Sequence, residues 1–172
     1  VAFRKSKEVI IQGFKEFGDI FGRYYSPVEQ YKTEGAKTLL LTMGSYGETA
    51  KMVIDERRGK GESVGHISLR LWRPFPFEEF RQAAKGAETL IVFDRCISSG
   101  MGGPVFSEVK SALYDEEERP KVVSIIGGLG GRDVPIKDFE YIIDRGRELA
   151  EKGSEKMIET VGIRGEMVGT RG

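Results

Sequence analysis

Four short apolar runs, each closed by a turn and followed by a helical stretch, constrain this chain more than any other feature. Thr38-Leu39-Leu40-Leu41-Thr42-Met43 is a continuous apolar run, the pattern of a strand covered on both faces. Val64 to Trp72, Thr89 to Asp94 and Val122 to Ile126 read as further strands. Between and after them, Glu48–Arg58, Phe77–Lys85, Pro104–Tyr114 and Pro135–Lys152 read as helices, with Gly59-Lys60-Gly61 ending the first and Pro104 opening the third. Strand then helix, four times in series, predicts an α/β fold with a largely parallel sheet between two helix layers. Ahead of this body, Phe3, Ile10, Phe14, Phe17 and Phe21 recur at helical spacing. Those rings have too few neighbours of their own, so the helix is expected to pack on the domain or on a partner. Pro27 breaks it, and Val28 to Thr33 alternates like an edge strand. The candidate boundary lies between Tyr25 and Gly35.

Composition removes several function classes. Lys+Arg and Asp+Glu are both 27, giving a net charge of zero, so the basic excess of a nucleic-acid binder is missing. No apolar run approaches the ~18 residues of a membrane span, and no signal peptide is recognisable. The single Cys96 excludes an internal disulfide and a cluster held by several cysteines. The expected compartment is the cytoplasm. Asparagine is absent and charged residues make up 31%, which points weakly to a thermophile. The chain opens on Val1, and the expectation is a piece of something longer.

Glycine is 23 of 172 residues, and it gathers where strands end. The loops 44–47, 98–103 and 127–131 all follow strands, where ligands bind in open parallel sheets. Two readings stand. Glycine lets backbone N–H groups approach an anion at a helix N-terminus; it also serves tight turns and close subunit contacts. Neither G-x-G-x-x-G nor a phosphate-binding P-loop occurs, which favours the second. Gly44, Ser45, Arg95, Ser98, Gly100, Gly128, Gly130, Arg132 and Asp133 are therefore candidates for anion binding or subunit contact. Asp133 also suits the entry of the helix after Pro135, and Asp94 suits a loop cap. Trp72, Arg73 and Phe75 lie in a run with three large aromatics around two prolines, suited to a contact anchor or a core-lining turn. The lone His66 reads as structural and Cys96 as packing or incidental. Ser98 and Ser99 lack a nucleophile-elbow context, and Asp115–Glu118 reads as a solvated turn. No catalytic residue and no metal ligand set is assigned.

Four of these segments together resemble one family. Thr42-Met43-Gly44-Ser45, Leu71-Trp72-Arg73-Pro74-Phe75-Pro76, Asp94 to Gly103 and Gly127 to Asp133 are similar, in order, to the alpha subunit of pyruvate (2-oxoacid):ferredoxin oxidoreductases, over roughly Gln30 to Ala150. The resemblance implies a transketolase C-terminal-like domain, a five-stranded mixed sheet with one antiparallel edge strand. It implies an enzyme that decarboxylates pyruvate on thiamine diphosphate, passes electrons through iron–sulfur clusters to ferredoxin and makes acetyl-CoA. Thiamine diphosphate and magnesium would be held mainly by a beta subunit, and the clusters by ferredoxin-like partners alongside a gamma subunit. The match is to the alpha subunit's second domain. Residues 1–26 would then be a helix and linker from a preceding domain, 27–161 the domain, and 162–172 a flexible glycine-rich tail. The implied work is structural and assembling, with no cofactor bound by this domain alone and no catalysis by this chain alone. The rival is a stand-alone α/β module that binds a small anionic or phosphate-bearing ligand at the glycine loops, with Arg95 and Arg132 as charge partners.

Overall fold

A strand buried on both faces must alternate its side chains between two cores, and Leu39-Leu40-Leu41 does so. They lie in β2 (Thr38–Thr42), buried at every position. Leu39 and Leu41 face one core and Leu40 the other. The computed structural model describes residues 2–153 and 158–163. Besides β2 the strands are β1 (Val28–Tyr31), β3 (Val64–Leu69), β4 (Thr89–Asp94) and β5 (Lys121–Ile126). The helices are α1 (Ala2–Phe21), α2 (Tyr46–Gly59), α3 (Phe77–Ala84), α4 (Pro104–Ala112) and α5 (Ile136–Lys152).

The sheet order is β1-β3-β2-β4-β5, with β1 antiparallel to β3 and every other pair parallel. This is the mixed five-stranded sheet with one antiparallel edge expected above. Ala50, Val53 and Ile54 of α2 share a core with Phe139, Ile142 and Ile143 of α5. Phe80 of α3 and Val105 and Val109 of α4 fill the other face. Each fully buried large side chain contributes roughly 1.5–3 kcal/mol of transfer free energy. Gly146 lets α5 lie against the sheet, since a Cβ there would stand 2.4 Å from Ile91 Cδ1. Arg57 then ties α2 to α5 through two bonds to Asp144, at 2.6 and 2.8 Å, and one to the Glu140 carbonyl.

Boundaries depart from expectation in physically explicable ways. β3 ends at Leu69 rather than Trp72 because the Arg70 and Leu71 N–H groups both turn to the Pro27 carbonyl. β1 stops at Tyr31 rather than Thr33: Lys32 takes a φ of 50° and its carbonyl accepts from Arg58. α2 starts two residues early, at Tyr46.

α1 is tethered more than buried. Lys7 bonds Glu78 and Glu79 of α3 at 3.1 and 2.8 Å, and Phe17 stacks with Phe21 and Tyr25. Val9, Ile20 and Phe21 stay exposed. The Phe3 side chain and the expected tail from residue 164 onward lie outside the described residues. Just before that tail, Thr160 bridges parallel to Ile126, and Val161 N–H donates to the Ile126 carbonyl.

Candidate functional site at the carboxyl edge of the sheet

β2 and β4 are neighbours, yet α2 leaves to one face and α4 to the other. That reversal opens a crevice at the carboxyl edge, the place where open α/β sheets bind ligands. The three glycine loops all arrive there.

Tyr46 joins them. As the first residue of α2 it directs its ring inward, edge-to-face with Phe93 at 5.5 Å and Phe139 at 6.0 Å. Its hydroxyl donates to the Arg132 carbonyl at 3.2 Å, linking the loops after β2 and β5. The Arg95 guanidinium lies over the same ring at 4.6 Å, adding the loop after β4. Gly128 has a φ of 68°, and a Cβ on it would stand 2.6 Å from the Tyr46 hydroxyl. Only glycine meets both demands, a left-handed backbone and this close approach.

Asp94 ends β4, and burial leaves it 2% exposed. Its two carboxylate oxygens accept from Val105 N–H and Phe106 N–H, each at 3.0 Å, and so cap the first turn of α4. Burial pushes its carboxyl up from the usual range, and the two backbone N–H groups partly oppose that. The cap reading of Asp94 is the one the geometry supports.

The other candidates divide. Gly44, at φ 68°, and Ser45 form the exposed turn into α2, where Ser45 makes no side-chain cap bond. The Ser98 N–H is taken by the Gly102 carbonyl at 2.8 Å, so it faces into its own loop, which turns at Gly100 with φ 76°. Gly130, at φ 65°, sits within a single 3₁₀ turn (Leu129–Gly131). Asp133 accepts from the N–H of the next residue, Val134, at 2.9 Å, a local turn bond rather than an ion pair with Arg132. Arg95 and Arg132 are exposed and have no carboxylate partner among the described residues. The structure thus gathers Gly44, Ser45, Arg95, Gly128 and Arg132 around Tyr46, and not Gly130, where a Cβ would meet nothing within 4 Å; the part Tyr46 plays depends on contacts distant in sequence, and sequence reasoning missed it.

Trp72, Arg73 and Phe75 do not form one exposed patch. Phe75 is 6% exposed and packs edge-to-face on Phe77 and Phe80, which makes it a core residue and not a surface contact. Trp72 is half-buried against the same core. Arg73 covers its indole at 4.6 Å and reaches Glu108 of α4 at 2.8 Å. The Trp72–Arg73–Glu108 clasp thereby joins the β3–α3 connection to α4, and α4 is in turn capped by Asp94.

Among the described residues no group of three or more His, Cys, Asp or Glu side chains could hold a metal ion. Cys96 is exposed and solitary, so an iron–sulfur cluster, which needs about four such ligands, does not fit this chain.

Comparison with known proteins adds to this geometry. A family model described as pyruvate:ferredoxin oxidoreductase core domain II matches residues 36–139. The pyruvate synthase subunit PorA of Pyrococcus abyssi is 38% identical over 168 residues, 97% of this chain and 42% of the relative. The ketoisovalerate oxidoreductase subunit VorA of Pyrococcus horikoshii is 39% identical over 160 residues, 92% of this chain and 41% of the relative. The chain therefore spans about two fifths of the length of these curated relatives. In fold it is similar to a split-gene transketolase in an inactive beta4 tetramer, with a TM-score of 0.54 at 16% identity over 74% of this chain and 44% of that one. It is also similar to the 2-oxoglutarate:ferredoxin oxidoreductase of Magnetococcus marinus, with a TM-score of 0.52 at 18% identity over 78% of this chain and 21% of that one.

Proposed function

The chain belongs to the pyruvate:ferredoxin oxidoreductase core domain II family, and from that premise we propose that it is this domain of the alpha subunit in a multi-subunit 2-oxoacid:ferredoxin oxidoreductase. The observation that carries the reading is the match to an oxidoreductase subunit across 97% of the chain. Pyruvate is the substrate proposed, in line with the family's name, and oxidation to acetyl-CoA with reduction of ferredoxin is the reaction. The stand-alone ligand module is set aside, because the relatives carry subunit names.

Within such a complex, thiamine diphosphate with magnesium would supply the decarboxylation chemistry, iron–sulfur clusters the electron path and CoA the acceptor. The described residues fit neither a cluster nor a metal centre. Their proposed work is support. Tyr46 and Asp94 hold three loops and the first turn of α4 in register, and the exposed Arg95 and Arg132 face out for neighbouring subunits. The proposed partners are a thiamine-binding beta subunit, a ferredoxin-like subunit and a gamma subunit. The proposed setting is the cytoplasm; no helix among the described residues is long and apolar enough to cross a membrane.

The test is co-expression with candidate partner subunits and an assay of pyruvate- and CoA-dependent ferredoxin reduction. Reduction that requires this chain supports the proposal. Full activity without it overturns it. Trp72→Ala should lower recovery of the complex by opening the clasp with Arg73 and Glu108, and unchanged assembly would remove that contact role.

A further inference from the structure

Residues 158–163 belong to no helix or strand, yet they grip the carboxyl edge from outside the sheet. Thr160 bridges parallel to Ile126, on the side of β5 away from β4. Two backbone bonds make the bridge. Ile126 N–H donates to the Glu159 carbonyl at 2.9 Å, and Val161 N–H donates to the Ile126 carbonyl at 2.8 Å.

Val161 is 7% exposed and joins the core that α2 and α5 share. Gly127 is its socket. A Cβ there would stand 2.5 Å from Val161 Cγ1 and 2.8 Å from Phe93 Cε2, so a bare backbone leaves the space that the valine fills. Glu159 is equally buried and accepts from the Arg145 guanidinium of α5 at 2.7 Å. One residue past Val161, Gly162 lies under Arg132. A Cβ on it, at φ 74°, would stand 3.1 Å from Arg132 Nε and 3.5 Å from Cδ and Cζ. Arg132 is thus held twice. Tyr46 takes its carbonyl, and Gly162 backs its side chain.

The grip is narrow. The segment bridges to β5 at one residue, whereas β4 and β5 pair along the whole of both strands. It buries Glu159 and Val161 and leaves Ile163 exposed. An element with so few buried side chains and backbone bonds opens at a lower free energy than the sheet it rests on.

We propose that residues 158–163 are a detachable clamp that aims Arg132. Seated, Val161 fills the Gly127 socket, Gly162 backs the Arg132 side chain, and the edge presents a fixed cation. Unseated, the socket empties and Arg132 is freed with the loop after β5, while the sheet stays folded. The proposal does not rest on the oxidoreductase reading and holds or fails separately from it.

Hydrogen exchange of the full chain separates the clamp from the fold. The Ile126 and Val161 amides should exchange at one common rate, about tenfold or more faster than those of Leu40 and Ile91 at the sheet centre, and with a smaller dependence on denaturant. Val161→Asp puts a charge in the socket. It should strip nearly all protection from Ile126 while Leu40 and Ile91 stay protected. An arginine-specific protease should then cut after Arg132 about fivefold or more faster, relative to its cut after Arg95, because the scissile carbonyl is the one that Tyr46 holds. If Val161→Asp does not fold, Glu159→Ala serves in its place, breaking the Arg145 bond outside the socket, with a smaller rise expected in both readouts. Exchange of Ile126 and Val161 at the rate and denaturant dependence of the sheet centre would make the segment part of one cooperative core and overturn the proposal. So would an Ile126 amide still protected in Val161→Asp, or unchanged cleavage after Arg132.

Discussion

Gly128 and Tyr46 offer the sharpest test of how the carboxyl edge is held, because their interaction can be separated from the strain of either residue alone. Gly128→Ala places a Cβ in a left-handed backbone, at φ 68°, which costs roughly 1–2 kcal/mol for a non-glycine residue. The same Cβ stands 2.6 Å from the Tyr46 hydroxyl oxygen and 3.3 Å from the ring carbon that bears it. Overpacking of this kind adds roughly 1–3 kcal/mol, so the single variant should lose about 2–5 kcal/mol. Tyr46→Phe removes only the bond to the Arg132 carbonyl, a neutral bond of 3.2 Å, and should lose about 0.5–1.5 kcal/mol.

In the double variant the 2.6 Å contact no longer exists, while the 3.3 Å contact and the backbone strain remain. The Gly128→Ala penalty should shrink to near its backbone part, leaving a favourable coupling of about 1–3 kcal/mol. Urea unfolding of the four proteins at fixed pH measures this, provided the denaturant slope is unchanged. Strictly additive losses would refute the close approach of the β5 loop to Tyr46. With it would go the argument that one tyrosine ties three loops together.

Other outcomes follow from single features. Asp94→Ala should cost about 2–4 kcal/mol, since it strips the cap from α4 and leaves the Val105 and Phe106 N–H groups without their acceptor; Asp94→Asn keeps one acceptor and should cost less, and thermal unfolding ranks the two. Gly146→Ala should reverse the usual helix preference: alanine would add about 1 kcal/mol in an open helix, but the 2.4 Å approach to Ile91 should make the change a net loss of ~1–2 kcal/mol, and a stabilised variant in denaturant melts would contradict the packing of α5. His66 sets a pH slope. Its folded pKa of about 4 lies below the unfolded value near 6.5, so below pH 6.5 the unfolded chain takes up a proton that the fold refuses. Stability is complete above pH 6.5 and should fall by about 1.4 kcal/mol per unit down toward pH 4; a slope that persists in His66→Gln would assign it to other groups.

The legibility of this chain in its sequence tracks how local each cause is. Leu39-Leu40-Leu41 reads as a two-faced strand because alternation needs no knowledge of the partners, and the serial strand–helix pattern limits the topology through chirality and short connections. Val28 to Thr33 reads as an edge strand for the same reason, though the strand stops at Tyr31 because the next carbonyl, that of Lys32, is taken by Arg58, 26 positions away. Asp94 is half legible: a carboxylate at a strand end suggests a cap, but only the fold supplies Val105 and Phe106 as donors. Tyr46 is not legible. After Gly-Ser it reads as part of a turn, and its partners lie in loops that meet only once β2, β4 and β5 are assembled, the Arg132 carbonyl 86 positions away. Phe75 is open in the sequence for the same reason. A proline-flanked aromatic suits a contact anchor or a core-lining turn alike, and only the fold decides for the core by setting its ring 5.5 Å from that of Phe80.

The same distinction bears on function. At the carboxyl edge the polar groups answer one another: Tyr46 reaches Arg132, Asp94 caps α4, Ser98 meets Gly102, and Arg73 holds Glu108. A catalytic crevice keeps such groups aimed at a reactant, and here they are aimed at neighbouring loops. What this edge leaves without a carboxylate partner among the described residues is the pair Arg95 and Arg132, both exposed, and beside them stand the apolar Ile97 and Met101 at 44% and 68% exposure on the loop after β4. Exposed arginines beside protruding apolar side chains have the composition of a surface that contacts another protein. The glycine loops therefore serve the close fit of loops to one another, and through that fit they set the shape of the exposed surface at this edge.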